Sequence, residues 1–98
     1  GGGLRNLARW PSDLRYVVDA PLPVLPIFEA LQGWGGVEDA EMWQTFNMGT
    51  GFFLAVSPDH VDEALEVLGG HHECQVVGRV EEGSGVALEP HHIEYDGY

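Results

Sequence analysis

The hydrophobic pattern of this chain changes back and forth between the two-residue period of a strand and the longer period of a helix. Alternating apolar and polar side chains predict a strand over residues 14–19. Apolar residues then recur at helical spacing over residues 27–34, and the glycine pair at 35–36 is a typical helix end. A shorter helix is predicted over about residues 38–45.

The second half of the chain continues the same alternation. Residues 51–56 are apolar on both faces, as expected of a buried central strand. The clearest helical pattern covers residues 61–68, and strands are predicted over residues 74–80 and 86–88. The order strand, helix, short helix, strand, helix, strand, strand predicts an α+β fold with helices packed on a mixed sheet.

The charge of the chain is strongly one-sided. Sixteen acidic residues face four arginines and no lysine, which gives a formal net charge of −12 on 98 residues. Nucleic acid is therefore excluded as a partner, because binding would bring like charges together. The carboxylates of such a surface repel one another and destabilise the folded state unless salt screens their charges, so we expect a halophilic source. The alternative is an ordinary acidic domain whose basic surface lies elsewhere in the protein.

Several further features bear on location. No apolar run approaches the roughly 20 residues that span a bilayer, so no membrane association is expected. The single cysteine, Cys74, cannot form an internal disulfide and is predicted to be a small core residue. We therefore expect a cytoplasmic protein. The chain begins with three glycines rather than methionine, so we expect it to be part of a longer protein.

The histidines raise the question of a metal site. His71-His72-Glu73-Cys74 precedes a later group at His91, His92 and Glu94. Imidazole and thiolate suit zinc, but this spacing fits no standard zinc pattern. These residues are predicted to be solvated turn residues, and no metal site is expected.

Four blocks of the sequence resemble one enzyme family. Residues 41–51 read EMWQTFNMGTG, similar to the segment E-M-[FY]-R-T-F-N-M-G-[IT]-G of aminoimidazole ribonucleotide synthetases, also called phosphoribosylformylglycinamidine cyclo-ligases. The opening GGGLRNLAR resembles the family's G-G-G-L-x-x-N-[IL]-x-R, and PIFEALQ and VGRVEEG resemble two further family blocks in the same order. Trp43 and Gln44 depart from the pattern, which usually has Phe or Tyr followed by Arg.

The resemblance implies both a fold and an activity. It implies a C-terminal domain of α/β/α layers, to which residues 1–89 are assigned. Residues 90–98 match no block of the family, and their polar composition predicts a loose tail. The implied reaction is the ATP-dependent ring closure of formylglycinamidine ribonucleotide to aminoimidazole ribonucleotide. A homodimer is also implied, with ATP and Mg²⁺ bound mainly by an N-terminal half, so these 98 residues are expected to be inactive alone. The alternative is a non-catalytic small-ligand or subunit-interaction module of the same ancestry.

Two segments are candidates for contact with substrate or phosphate. A glycine run lets backbone N–H groups approach an anion, and a brief helix is predicted behind it over residues 4–10, ended by Pro11. Arg5 and Arg9 could add positive charge. The alternative for this run is a flexible end. The candidate residues, which include an amide in each segment, are Gly1, Gly2, Gly3, Asn6, Asn47 and Gly49.

The second segment has a structural alternative of its own. It can be a plain helix-to-strand connection in which Asn47 caps the helix in a left-handed conformation, while glycines at 49 and 51 permit tight turns. No catalytic residue is predicted, because no nucleophile with a matching base is evident. The large apolar residues are assigned to the core or to an interface with the rest of the protein; they are Trp10, Trp34, Met42, Trp43, Phe46, Phe52 and Phe53.

Overall fold

A four-stranded mixed sheet organises the fold in the computed structural model, which describes residues 1–10 and 12–98. The elements in chain order are the 3-10 helix η1 (Gly3–Ala8), β1 (Leu14–Val18), α1 (Pro26–Gly35), α2 (Asp39–Thr45), the 3-10 turn η2 (Pro58–His60), α3 (Val61–Gly69), β2 (Gly78–Glu82), β3 (Val86–Leu88), the 3-10 turn η3 (Glu89–His91) and β4 (Ile93–Tyr95). The predicted end of the first helix at Pro11 lies outside the described residues.

The strand order is β2-β1-β3-β4. Strand β1 pairs antiparallel with β2 and parallel with β3, and β4 pairs antiparallel with β3. Of the two inner strands, β3 is buried throughout, and β1 is buried at the successive positions Val17 and Val18. Because successive strand residues point to opposite faces, both faces of β1 are covered at this point.

The hydrophobic core lies where η1 and α2 pack on the sheet. Its buried members are Leu4, Val18, Met42, Trp43, Met48, Val86, Leu88 and Ile93. The α+β class, with helices packed on a mixed sheet, is therefore confirmed.

The predicted helices are confirmed, and local chemistry explains their bounds. Pro26 opens α1 at a position where its missing N–H leaves no hydrogen bond unmade. Gly36 ends the same helix in the left-handed region, at φ 61°. The turn η2 leads directly into α3, whose first turn carries Asp62 and Glu63 where the helix dipole favours acids.

The prediction of a buried central strand over residues 51–56 is wrong. The segment forms no strand, and Phe52, Leu54 and Val56 are exposed, Phe52 at 84%. A strand that is apolar on both faces needs neighbouring strands and covering layers. In the described residues this segment pairs with no strand, and both sides of the inner strands β1 and β3 are already occupied.

The strand predicted over residues 74–80 is displaced along the chain. Its ladder with β1 begins at Gly78 and continues to Glu82. Before it, the N–H groups of Asp19 and Ala20 both donate to the carbonyl of Val77, which closes the ladder just beyond the end of β1. Cys74 is exposed, so its prediction as a core residue is wrong. The prediction followed the apolar residues of this run. The strand instead includes the charged residues that come after it, and it lies at the edge of the sheet.

The end of the chain is not loose. Residues 93–95 form β4, and Ile93 is buried in the core opposite Leu88. His92, at φ 53°, turns the chain so that this strand runs back along β3. The assignment of residues 1–89 to one domain stays a prediction.

The outcome for the large apolar residues is divided. Met42 and Trp43 are buried, and Phe46 and Phe53 are half-buried against the core. Phe52, Trp10 and Trp34 are exposed, which contradicts a core position and leaves an interface with the rest of the protein as the prediction.

No helix in the described part of the chain is long and apolar enough to cross a membrane.

Candidate functional site

A groove separates the glycine-rich start of the chain from the end of α2 and the segment after it. We call it the N-terminal groove, and its volume is about 530 Å³. It is lined by Gly1, Gly3, Leu4, Asn6, Leu7, Phe28, Trp43, Thr45, Phe46, Asn47, Thr50, Gly51, Phe52 and Phe53.

Gly3 allows the two walls of the groove to approach closely. It adopts φ +49°, and a Cβ atom at this position would lie 2.2 Å from the carbonyl oxygen of Trp43 and 2.8 Å from that of Phe46. Only a residue without a side chain fits there. Next to it, Leu4 is buried against the core and anchors η1 on the sheet.

Asn6 fastens the glycine run to η1. Its Nδ2 donates to the carbonyl oxygens of Gly1 at 2.8 Å and Gly3 at 3.1 Å. These two bonds hold the run in a defined loop, as expected of an amide side chain beside flexible glycines. The reading of this run as a flexible end is therefore not supported, because its backbone is hydrogen-bonded on both sides of Gly2.

Asn47 organises the opposite wall. Its Oδ1 accepts a hydrogen bond of 2.8 Å from the N–H of Gly49, and its carbonyl accepts one of 3.0 Å from Thr50. The left-handed residue here is Met48, at φ 55°, so the alternative in which Asn47 itself adopts this conformation is wrong. Burial of the Met48 side chain in the core offsets the cost of this strained backbone conformation.

Gly49 closes the turn, and Gly51 does not. Gly49 has φ +114°, and a Cβ atom there would lie 2.7 Å from the carbonyl oxygen of Pro23. Gly51 has no neighbour within 4 Å of such an atom and is not in the left-handed region, so its expected role in a tight turn is wrong. Gly51 instead lines the groove.

The structure brings most of the candidate residues together. Gly1, Gly3, Asn6 and Asn47 line the groove, while Gly2 and Gly49 lie directly beside lining residues. Sequence reasoning missed Phe28, Thr45 and Thr50 as lining residues. All three fall inside the blocks that resemble the family, so those blocks carried a signal that the assignment of single residues did not use.

The lining of the groove carries no charged or titratable side chain among the described residues. Arg5 and Arg9 instead face the ring of Tyr98, at 5.5 Å and 5.1 Å from its centroid. An anion in the groove would therefore be held by backbone N–H groups and side-chain amides rather than by guanidinium groups. A general acid or base would have to come from outside the lining.

Mg²⁺ does not fit the groove. This ion takes oxygen ligands that include carboxylates, and none lines the groove. In the described part of the chain, no three His, Cys, Asp or Glu residues are grouped to hold a metal ion. Of the histidines, His71 and His72 lie beside each other on an exposed turn, whereas His91 lies 5.6 Å from the Trp43 ring, centroid to centroid.

Tyr95 ties β4 to α2 and gives a prediction on pH. Its OH donates to the carbonyl of Ala40, and burial raises the pKa of Tyr95, an effect that the charge of Arg5 partly offsets. Stability from this phenol is fully present below its ordinary pKa of 10.0 and is lost as pH rises through the raised folded pKa. Tyr95→Phe removes both the bond, worth about 1 kcal/mol, and the titration.

We therefore expect the difference in unfolding free energy between wild type and Tyr95→Phe to shrink between about pH 9 and about pH 11. Urea unfolding of the full-length protein at each pH measures this difference. Tyr98→Phe, which removes a more exposed phenol, is the control. A difference that stays constant over this range would contradict the prediction.

The fold and the groove occur in a chain whose sequence matches a known family. Residues 1–90 match the family described as AIR synthase related protein, C-terminal domain. The chain belongs to this family, which confirms the resemblance drawn from the four sequence blocks. The expectation of a halophilic source stays a prediction.

The chain is also similar to several named enzymes. The chain is similar to a phosphoribosylformylglycinamidine cyclo-ligase of Methanopyrus kandleri, 42% identical over 88 residues, which cover 90% of this chain and 26% of that protein. The protein of the same name from Thermoplasma acidophilum is 37% identical over 98 residues, covering 100% of this chain and 29% of its own length. The Bacillus subtilis protein of that name is 38% identical over 91 residues, covering 90% and 26%. The chain thus spans less than a third of the length of these relatives.

Proposed function

We propose that the full-length protein carrying this chain is a phosphoribosylformylglycinamidine cyclo-ligase, a ligase of purine biosynthesis, and that the chain supplies part of its C-terminal domain. The observation that carries the proposal is similarity to enzymes of that name over nearly the whole chain, in archaeal and bacterial proteins alike. In the proposed reaction ATP phosphorylates the formyl-amide oxygen of formylglycinamidine ribonucleotide. An amidine nitrogen then attacks the formyl carbon that carries the phosphorylated oxygen, and phosphate leaves as the ring closes. The products are aminoimidazole ribonucleotide, ADP and phosphate.

The N-terminal groove is the proposed contribution of this chain to substrate binding. Gly1, Gly2, Gly3 and Asn6 form one wall, and Asn47 with Gly49 shapes the other. Backbone N–H groups and side-chain amides suit the ribose hydroxyls and the phosphate of a ribonucleotide. The neutral lining supports a role in orienting the substrate rather than in proton transfer.

The phosphoryl transfer is assigned to residues outside this groove. Its neutral lining does not fit Mg²⁺, so ATP with its Mg²⁺ is proposed to bind mainly to another part of the full-length protein. Residues 1–98 alone are accordingly proposed to be inactive. A homodimer and a cytoplasmic location complete the proposal.

The test uses the full-length protein with formylglycinamidine ribonucleotide, ATP and Mg²⁺ at high KCl. We expect ADP release that depends on the ribonucleotide, and none from residues 1–98 under the same conditions. ATP alone is the control for an unrelated ATPase. A folded full-length protein that shows no substrate-dependent ADP release would favour the alternative of a non-catalytic binding or subunit-interaction module.

A further inference from the structure

The last eight residues contact both walls of the N-terminal groove without lining it. We call residues 91–98 the C-terminal clasp. They follow the family match, which ends at residue 90, and they are held on the sheet by β4. Their side chains reach η1 on one side and α2 on the other.

Tyr98 contacts the glycine-rich wall. Its ring faces the guanidinium groups of both Arg5, which lies within η1, and Arg9, which caps the end of η1. The ring also lies against the backbone of Gly2, because a Cβ atom there would come within 2.9 Å of Tyr98 Cε2. A single ring thus restrains the loop and the helix that together form this wall.

Tyr95 and His91 contact the α2 wall. The OH of Tyr95 donates to the carbonyl of Ala40 in the first turn of α2. The ring of His91 packs on Trp43, which itself lines the groove and whose carbonyl faces Gly3, and His91 Nδ1 lies 3.7 Å from Asp39 Oδ2. The position of α2 relative to the sheet therefore depends on the same segment that restrains η1.

We propose that the C-terminal clasp sets the separation of the two walls, with Tyr98 as the positioning residue for the glycine-rich wall and His91 and Tyr95 as those for the α2 wall. This inference rests on the proposed function of the groove in binding the ribonucleotide. The clasp acts through Gly2, Arg5 and Trp43 and needs no contact with the substrate itself. Small changes in wall position weaken binding because hydrogen bonds to a ligand depend steeply on geometry.

The experiment compares Tyr98→Ala with Tyr98→Phe in the full-length protein. We expect Tyr98→Ala to raise KM for formylglycinamidine ribonucleotide about five- to tenfold, from the loss of two exposed cation–π contacts. We expect kcat to stay within about twofold, because the substrate-binding wall is misplaced and the chemistry is not. Tyr98→Phe keeps the ring and is expected to restore the wild-type KM. A general loss of stability would lower kcat and the unfolding midpoint together, which separates it from a positioning role.

A matched pair of arginine variants controls for charge. Arg9→Ala removes one of the groups that face Tyr98 and is expected to reproduce part of the increase in KM. Arg79→Ala removes an arginine from the edge strand β2, where its partners are Asp19, Glu81 and Glu89, and is expected to leave KM unchanged.

Amide hydrogen exchange gives a readout that does not depend on turnover. Tyr98→Ala is expected to speed exchange at residues 2–8 and to leave α3 unchanged, whereas Tyr98→Phe leaves both unchanged. Unchanged exchange at residues 2–8 in Tyr98→Ala would overturn the clasp, and faster exchange with an unchanged KM would overturn its positioning role. A wild-type protein without turnover would overturn the proposed function, and the exchange comparison would still decide whether the clasp holds the wall.

Discussion

Replacing Gly3 with alanine is expected to lower the free energy of unfolding by about 3–4 kcal/mol, because two costs combine. A Cβ atom would lie 2.2 Å from the carbonyl oxygen of Trp43, so η1 and α2 must move apart. Alanine also resists the left-handed backbone that Gly3 adopts at φ +49°. Since both partners of the clash are backbone, no rotamer change relieves it.

Gly1→Ala is the matched control for this prediction. Gly1 belongs to the same glycine run and lines the same groove, but no atom lies within 4 Å of a Cβ placed there. Its effect is expected to stay within about 0.5 kcal/mol. Urea unfolding of the two full-length variants, followed by tryptophan fluorescence, measures the difference. Equal stabilities would show that η1 does not pack against α2 as described.

Replacing Leu88 with alanine is expected to cost about 3–5 kcal/mol, the range for a buried leucine whose cavity does not collapse. Leu88 is fully buried in β3, between β1 and β4, and pairs with both Val18 and Ile93. Inner strands of a sheet hold their neighbours by hydrogen bonds, so the surroundings have little freedom to fill the space.

Leu88→Met is the control, because it conserves volume and is expected to cost less than about 1.5 kcal/mol. Urea unfolding of wild type and both variants gives the comparison. A cost for Leu88→Ala as small as that for Leu88→Met would place Leu88 outside the core and contradict the strand order.

The sequence predicted elements well where local chemistry decides them. Helix α1 begins at a proline and ends at a left-handed glycine, and both signals are readable from neighbouring residues alone. Strand β1 was likewise evident from its alternation and differs from the prediction by one residue. Such features depend on the chain within a few residues of themselves, so periodicity and capping suffice.

Predictions failed where an element depends on distant partners. The apolar segment over residues 51–56 satisfies every local requirement of a buried strand, yet it pairs with none of the described strands. Strand β2 lies further along than its apolar run, because its register is set by β1 rather than by its own composition. Strand β4 was not predicted because the residues around it are mostly polar. Its position depends on Ile93, which is buried opposite Leu88.

The candidate site followed from resemblance more than from pattern. Glycine runs and an exposed asparagine are weak signals alone, and the matching blocks made them specific. In the structure, Asn6 and Asn47 have different roles. Asn6 donates hydrogen bonds to the glycine run, and Asn47 accepts one from Gly49 that closes the turn. No local rule placed Tyr98 against Arg5 and Arg9, because that contact joins the two ends of the sequence.

The most direct test of the proposed function is product formation by the full-length protein. Formylglycinamidine ribonucleotide, ATP and Mg²⁺ would be supplied at high KCl, and aminoimidazole ribonucleotide would be measured alongside ADP. The proposal predicts one ADP for each molecule of ring-closed product. ADP release without aminoimidazole ribonucleotide, or a folded protein that releases neither, would contradict it.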